Sequence, residues 1–289
     1  MKLVTFNYQG VTRVGAVVGE EIVDSLSSAL PLDMLTFLAQ GEEALAVMQK
    51  LIERGATRLP ICDVELLAPV PRPGKFLGVG LNYAEHIAET GRDRPEFPMF
   101  FTKQSTCVIG PGKPIQRPRV SDKLDYEGEL ALIIGQRCKH VSVERAPEVI
   151  AGYTIVNDVT VRDWQARSPT WTIGKSFDTH GPMGPWWVTR DEIGDPHQLD
   201  LHTWVDDELR QAVNTREMIF NCYELVAYLS TAMTLEPGDV ITTGTPSGVG
   251  VSMKPRGYLR PGQTVKITIE KIGSLVNPVI EDPGDADGL

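Results

Sequence analysis

The chain has 289 residues, 42% of them apolar and 23% charged, which allows a sizeable buried core and excludes fibrous or disordered classes. Its formal net charge is −10 with no stripe of clustered Lys and Arg, so nucleic acid is excluded as a partner. No apolar run approaches the ~20 residues that span a bilayer, and MKLVTFNYQG lacks a signal-peptide stretch, so a cytoplasmic protein with no membrane partner is expected.

Residues 1–70 read as a small α+β module. KLVTF, RVGAVV and EEIVD have the composition of short strands, with Gly10 and Gly19 at turns. LDMLTFLAQ and EEALAVMQKLIERG follow with helical apolar spacing, the second closed by Gly55. The Pro-rich segment APVPRPG, from Ala68 to Gly74, blocks helix and marks a boundary. From residue 73 to 280 the pattern turns to short strands: KFLGVGL, GELALIIG, GYTIVND, GPWWVT, LHTWVDD, DVITTG and TVKITIE. The clearest helix there is YELVAYLSTAMTL, ended by EPGD. The fold class is therefore α+β and β-rich, and the acidic tail, 281–289, is expected to be disordered. The four cysteines (Cys62, Cys107, Cys138, Cys222) lack paired spacing and read as incidental thiols, not a disulfide frame or zinc site.

DYEGELALII carries the first chemical signal. In a strand Glu127, Glu129, Ala131 and Ile133 share one face, and the run after the acids is apolar on both. Two buried like charges need a cation to stay ionised. GYTIVND ends in Asp158; if Asp158 caps a helix in VTVRDWQARS, Arg162 and Gln165 fall on its face. Glu127, Glu129 and Asp158 then offer three oxygen ligands without sulfur, a set suited to Mg²⁺, Mn²⁺ or Ca²⁺. Asp125 is a lower-ranked alternative. Taken alone, the glutamate pair reads more readily as a solvated strand end, and Asp158 as an ordinary N-cap with exposed polar residues.

LNYAEHIAETG reads as a short helix in which His86 and Glu89, at i and i+3, can touch. A carboxylate that orients imidazole makes a general base; the bland alternative is a surface ion pair worth little. GTPSGVG lacks the ending of a phosphate loop and reads as a Gly-rich turn, with its N–H groups and the Thr245 hydroxyl facing the site. Trp186 and Trp187 read as packing residues.

Taken in order, VGLNYAEHIAE, DYEGELALIIG, GYTIVNDVTVRDWQ, IGKSFDTHGPMGPW and LEPGDVITTGTPSGVG resemble the fumarylacetoacetate hydrolase family over Pro73 to Val279. The N-terminal module is similar to that of its longer bacterial members. The resemblance implies a mixed β-roll core, a homodimer, and one Mg²⁺ or Mn²⁺ held by Glu127, Glu129 and Asp158. It implies His86 and Glu89 as the catalytic dyad on a lid, and Lys175 as a charge-balancing residue. Arg162, Gln165 and Thr245 match substrate-contacting positions, and Lys103 matches a lysine of less defined role. No counterpart is found for a further metal-binding aspartate of the founding eukaryotic hydrolase. The implied activity is metal-dependent hydrolysis of a C–C bond in a 2,4-diketo acid, of the acylpyruvate or 2,4-diketo-3-deoxy sugar acid type, through a pyruvate enolate. Oxaloacetate decarboxylation and isomerisation of a 2-hydroxyhepta-2,4-diene-1,7-dioate type substrate use the same enolate and are the rival enzyme readings. A metal-stabilised binding protein without turnover is the reading from another class.

Overall fold

The strand Gly128–Ile134 is buried at every position. The structure, a computed structural model, describes residues 1–284. Along this strand side chains alternate between two cores, as a period of two requires: Leu130, Leu132 and Ile134 enter one, Ala131 and Ile133 the other. A strand covered on both faces, as its composition predicts, is what forms.

The first core is closed by a five-stranded sheet running Glu208–Asn214, Asp200–Val205, Thr264–Ile269, Gly273–Glu281 and Ile115–Arg117. Leu201, Val205, Val265 and Ile267 come from that sheet. The helix Cys222–Ala232 adds Leu225, Val226 and Leu229, and a capping box between Asn221 and Glu224 sets its start. The second core is closed by the helices Met34–Gln40 and Glu42–Glu53 through Phe37, Leu38, Ala44 and Met48. The fold is thus mixed α+β and β-rich.

The main sheet has 12 strands. From Gly128–Ile134 it extends one way through Val240–Thr242, Phe76–Gly80 and Met99–Lys103. The other way it continues through Ile150–Asn157 and Gly181–Thr189 to the N-terminal strands. Lys2–Tyr8 pairs with Gly181–Thr189 in the register Lys2 to Val188 and Leu3 to Trp187, so the N-terminal segment extends the same sheet. Gly128–Ile134 and Ile150–Asn157 are antiparallel, with Gly128 opposite Asn157. That pairing brings the first residues of one strand beside Asp158, which follows the last residue of the other.

Two expectations are corrected. Asp158 caps no helix: Val159 is followed by a two-residue strand, Thr160–Val161, and the helix is only Arg162–Gln165, with Val161 at its N-cap. β-branched residues favour extended chain, and the Asp158 carboxylate is taken by lysines (below). Glu281, expected in the tail, ends the strand Gly273–Glu281, and the Asp282 N–H donates to the Arg117 carbonyl. Residues 285–289, the rest of that tail, lie outside the described residues. The strands Met99–Lys103, Glu208–Asn214 and Gly273–Glu281 went unread from the sequence. Cys107, Cys138 and Cys222 are buried and Cys62 is exposed, all as free thiols. Among the described residues no helix is long and apolar enough to cross a membrane.

Gly152 lies in the centre of this sheet, where an added Cβ would come within 2.0 Å of the Val188 carbonyl oxygen. Backbone cannot swing aside as a side chain can. Gly152→Ala should therefore cost at least about 1–3 kcal/mol of stability; unchanged urea denaturation would contradict this close strand spacing.

Candidate active site and metal centre

Glu127, Glu129 and Asp158 are all buried and each offers an oxygen within 4.8 Å of the others. Backbone bonds set this geometry. Asn157 accepts the Glu127 N–H at 3.0 Å through Oδ1, and the Asp158 N–H donates to the Glu127 carbonyl at 2.8 Å. Between the two glutamates, Gly128 leaves no room for a side chain, because a Cβ there would lie 2.2 Å from Thr203 Oγ1. The Gly128 N–H is taken by Gln211 Oε1 at 3.0 Å.

Cations surround the acids. Lys175 Nζ lies 2.5 Å from both Glu127 and Asp158, and Lys103 Nζ lies 2.6 Å from Asp158 and also donates to the Lys175 carbonyl. Arg162 contacts Glu127 at 2.7 Å through Nη1 and Asp125 at 2.7 Å through Nε, and Gln165 Oε1 accepts from Nη1 at 3.2 Å. Burial would raise the Glu127 carboxyl, but Lys175, Arg162 and His86 outweigh it and hold the group well below the usual carboxylate range. Burial likewise disfavours the Lys175 ammonium, and Asp158 with Glu127 more than offsets it, so its pKa is raised.

Glu129 differs. It has no cationic partner in an ion pair among the described residues and accepts the Gly244 N–H at 2.8 Å through Oε2. Burial, with Asp158 and Glu127 alongside, pushes its carboxyl well up. Four buried acids (Asp125, Glu127, Glu129, Asp158) thus face three cations (Lys103, Lys175, Arg162), and the uncompensated charge falls beside Glu129. A divalent cation among Glu127, Glu129 and Asp158 fits this deficit and the all-oxygen donor set. It would leave one net positive charge, matched to an anionic ligand.

Above the acids opens a cavity of about 370 Å³, lined in part by His86, Glu89, Glu127, Arg162, Gln165, Lys175 and Thr245. The helix Ala84–Thr90 presents His86, whose Nδ1 is 2.7 Å from Glu89 Oε1. Glu89 is itself fixed by the Gly248 N–H, 3.0 Å from Oε2. At the root of this helix the buried Asn82 ties it to the carbonyls of Phe220 and Thr243. The loop after Val240–Thr242 therefore aims its N–H groups at two site acids, Glu129 and Glu89. Thr245 reaches the cavity, but its hydroxyl donates to the Gly128 carbonyl and accepts from Gln211 Nε2. Lys103 does not line the cavity; it lies behind Asp158 as an anchor.

The residues 75–280 match the model of the fumarylacetoacetate (FAA) hydrolase C-terminal domain. The chain belongs to this family. Members similar to it differ in activity. The mitochondrial oxaloacetate tautomerase Fahd2a of Rattus norvegicus is 41% identical over 266 residues, 91% of this chain and 85% of that one. The 5-carboxymethyl-2-hydroxymuconate delta-isomerase structure from Mycobacterium smegmatis is 36% identical with a TM-score of 0.79, covering 98% of this chain and 100% of the other. A maleylpyruvate hydrolase from Sphingobium sp. SYK-6, in complex with manganese(II) ion and pyruvate, is 31% identical with a TM-score of 0.83, covering 97% and 99%. Metal-dependent hydrolase or isomerase chemistry is thus the family setting for this fumarylacetoacetate hydrolase-type site.

Asp125, Asn157, Gln211 and Asn82 were not read from the sequence as structural parts of the site. Only Asp125 carried a signal, its place two residues before Glu127; the others act by contacts between distant segments. His180, in the motif THGPMGP, is buried, and its Nε2 lies 2.9 Å from the Gln116 carbonyl while Nδ1 has no partner among the described residues. Burial drives its pKa from 6.5 down to about 3. It is a neutral strut.

Two outcomes follow. Glu127→Ala and Glu129→Ala should each abolish Mn²⁺ binding measured by calorimetry, with metal-dependent activity lost too; normal affinity in either would remove that acid from the ligand set. The unfolded chain protonates His180 below about pH 6.5 while the folded one resists to about pH 3. Stability is therefore lost as pH falls through this window, by up to about 1.4 kcal/mol per pH unit from this group. His180→Gln should flatten the profile by that slope; identical profiles would show that His180 is not held neutral.

Proposed function

We propose that the protein is a divalent-metal-dependent hydrolase that cleaves a C–C bond in a 2,4-diketo acid of the acylpyruvate or 2,4-diketo-3-deoxy sugar acid type. The observation that carries this reading is the hydrogen-bonded His86–Glu89 pair lining the same cavity as Glu127, one of the three clustered carboxylates. Glu127, Glu129 and Asp158 hold Mg²⁺ or Mn²⁺, which when bound supplies Lewis-acid stabilisation of charge developing on the keto-acid oxygens.

The chain's own groups do the rest. Arg162 Nη2 is buried without a partner among the described residues, and Arg162 lines the cavity. An unmet buried donor is costly, so it is suited to receive the substrate carboxylate, with Gln165 fixing the same guanidinium. His86 takes a proton from water as the oxygen attacks the 4-carbonyl, and Glu89 stabilises the imidazolium. Collapse breaks the bond between carbons 3 and 4 and releases the new carboxylic acid. The electron pair leaves as the enolate of pyruvate, beside the Lys175 ammonium. The proton then returns from His86 to carbon 3.

The identity to the rat tautomerase favours a second reading, in which the same pair only shuttles a proton on a keto acid. Oxaloacetate decarboxylation is the other rival. Protein loaded with Mn²⁺ should release pyruvate without CO₂ from acetylpyruvate. Release of CO₂ from oxaloacetate, or enol–keto conversion without cleavage, would replace the hydrolase reading. His86→Ala should lower the hydrolytic rate by about 10²–10⁴-fold while Mn²⁺ affinity stays normal; loss of Mn²⁺ binding would make His86 a ligand and overturn its role as base.

A further inference from the structure

The strand Glu208–Asn214 forms one edge of the five-stranded sheet, and it is exposed or half-buried along its length except at Gln211, which is 1% exposed. A polar side chain as the one buried position of such a strand is the informative kind of burial, because apolar packing cannot account for it. The strand itself aims it. Thr203 pairs with Gln211 and Trp204 with Leu209, so Arg210 is an extra residue, and a bulge of this kind bends the chain and redirects the neighbouring side chain.

The amide then joins two distant segments. Its Oε1 accepts the Gly128 N–H at 3.0 Å, and its Nε2 donates to Thr245 Oγ1 at 2.8 Å and to the Pro246 carbonyl at 2.9 Å. Thr245 Oγ1 in turn donates to the Gly128 carbonyl at 3.1 Å. A closed ring of three bonds therefore holds Gly128 by its N–H and its carbonyl together. Only a carboxamide of this length serves every partner: a carboxylate has no proton for the Pro246 carbonyl, and asparagine is one methylene short.

Both segments carry the site. Gly128 stands between Glu127 and Glu129 and has no room for a side chain of its own. Thr245 and Pro246 belong to the turn whose Gly244 N–H meets Glu129 and whose Gly248 N–H meets Glu89, the partner of His86. Gln211 does not line the cavity, so it acts through these neighbours.

We propose that Gln211 is a positioning residue: from the second sheet it fixes the spacing of Glu127 and Glu129 for the divalent cation and keeps the turn that holds Glu89 in register with them. This rests on the metal reading of the acid cluster and is independent of which keto acid is turned over. Removing an outer contact that orients metal ligands costs about 10–100-fold in metal affinity.

Gln211→Met keeps the length of the side chain and removes all three of its bonds. Calorimetry should show Mn²⁺ binding weakened by about 10–100-fold, and amide hydrogen exchange of the folded protein should quicken at Gly128 and across residues 243–249. Asn277→Leu is the control: that buried amide donates to the Gly110 and Lys113 carbonyls and bonds to neither segment. It should lower stability and leave Mn²⁺ affinity unchanged. Wild-type affinity in Gln211→Met would overturn the positioning role. An equal loss in Asn277→Leu would overturn it too, by tracing the effect to general loosening of the fold. If Gln211→Met does not fold, Gln211→Asn is measured in its place and read in the same way. If the unaltered protein binds no Mn²⁺, the metal reading fails and this role with it.

Discussion

A surplus of negative charge, buried beside Glu129, is the constraint around which the rest of the site is arranged. Burying one carboxylate without a partner costs several kcal/mol, and among the described residues four acids are buried here within reach of three cations. Each cation is therefore shared. Lys175 serves Glu127 and Asp158, Arg162 serves Glu127 and Asp125, and Lys103 secures Asp158 from behind. The acid left over is the one that faces a bare backbone N–H. A divalent cation among Glu127, Glu129 and Asp158 would offset that surplus.

The same segment that meets Glu129 also holds the His86–Glu89 pair. Gly244 donates to Glu129 and Gly248 to Glu89, so the Gly-rich turn links the carboxylate cluster to the histidine helix. At both glycines φ is positive, 90° at Gly244 and 102° at Gly248, and a Cβ on Gly248 would strike the Arg210 carbonyl at 1.9 Å. A side chain is excluded there by backbone conformation and by space at once. Gln211 braces the turn from the five-stranded sheet by reaching Thr245, the Pro246 carbonyl and the Gly128 N–H. The second sheet thus does more than cover a core. It holds the strand start and the turn in register with each other.

Much of this was legible in one dimension because local rules governed it. The alternation in GELALII announced a strand buried on both faces, and each alternate set did enter a separate core. His86 and Glu89, three apart on a helix, meet as their spacing required. Asp158 was read as a cap because its sequence neighbours allow one, yet Lys103 and Lys175 claim its carboxylate from 55 and 17 residues away. Lys103, whose role the family resemblance left undefined, donates to Asp158, a contact that depends on which side of Asp158 its strand lies. Gln211, Asn157 and Asn82 gave no signal, since a lone amide in a strand or loop looks the same whether it faces water or braces a site.

The sequence alone determined the chemical inventory: an oxygen-only acid set, a histidine within a helical pattern with a carboxylate three residues on, and the β-rich class that carries them. Periodicity and short-range spacing suffice for those, because they depend on neighbours in the chain. Only the tertiary structure decided how charge is shared among the acids, which glutamate has no cationic partner among the described residues, and which side chains line the cavity. Those depend on long-range pairing of strands and on burial, and neither is written in any local stretch of residues.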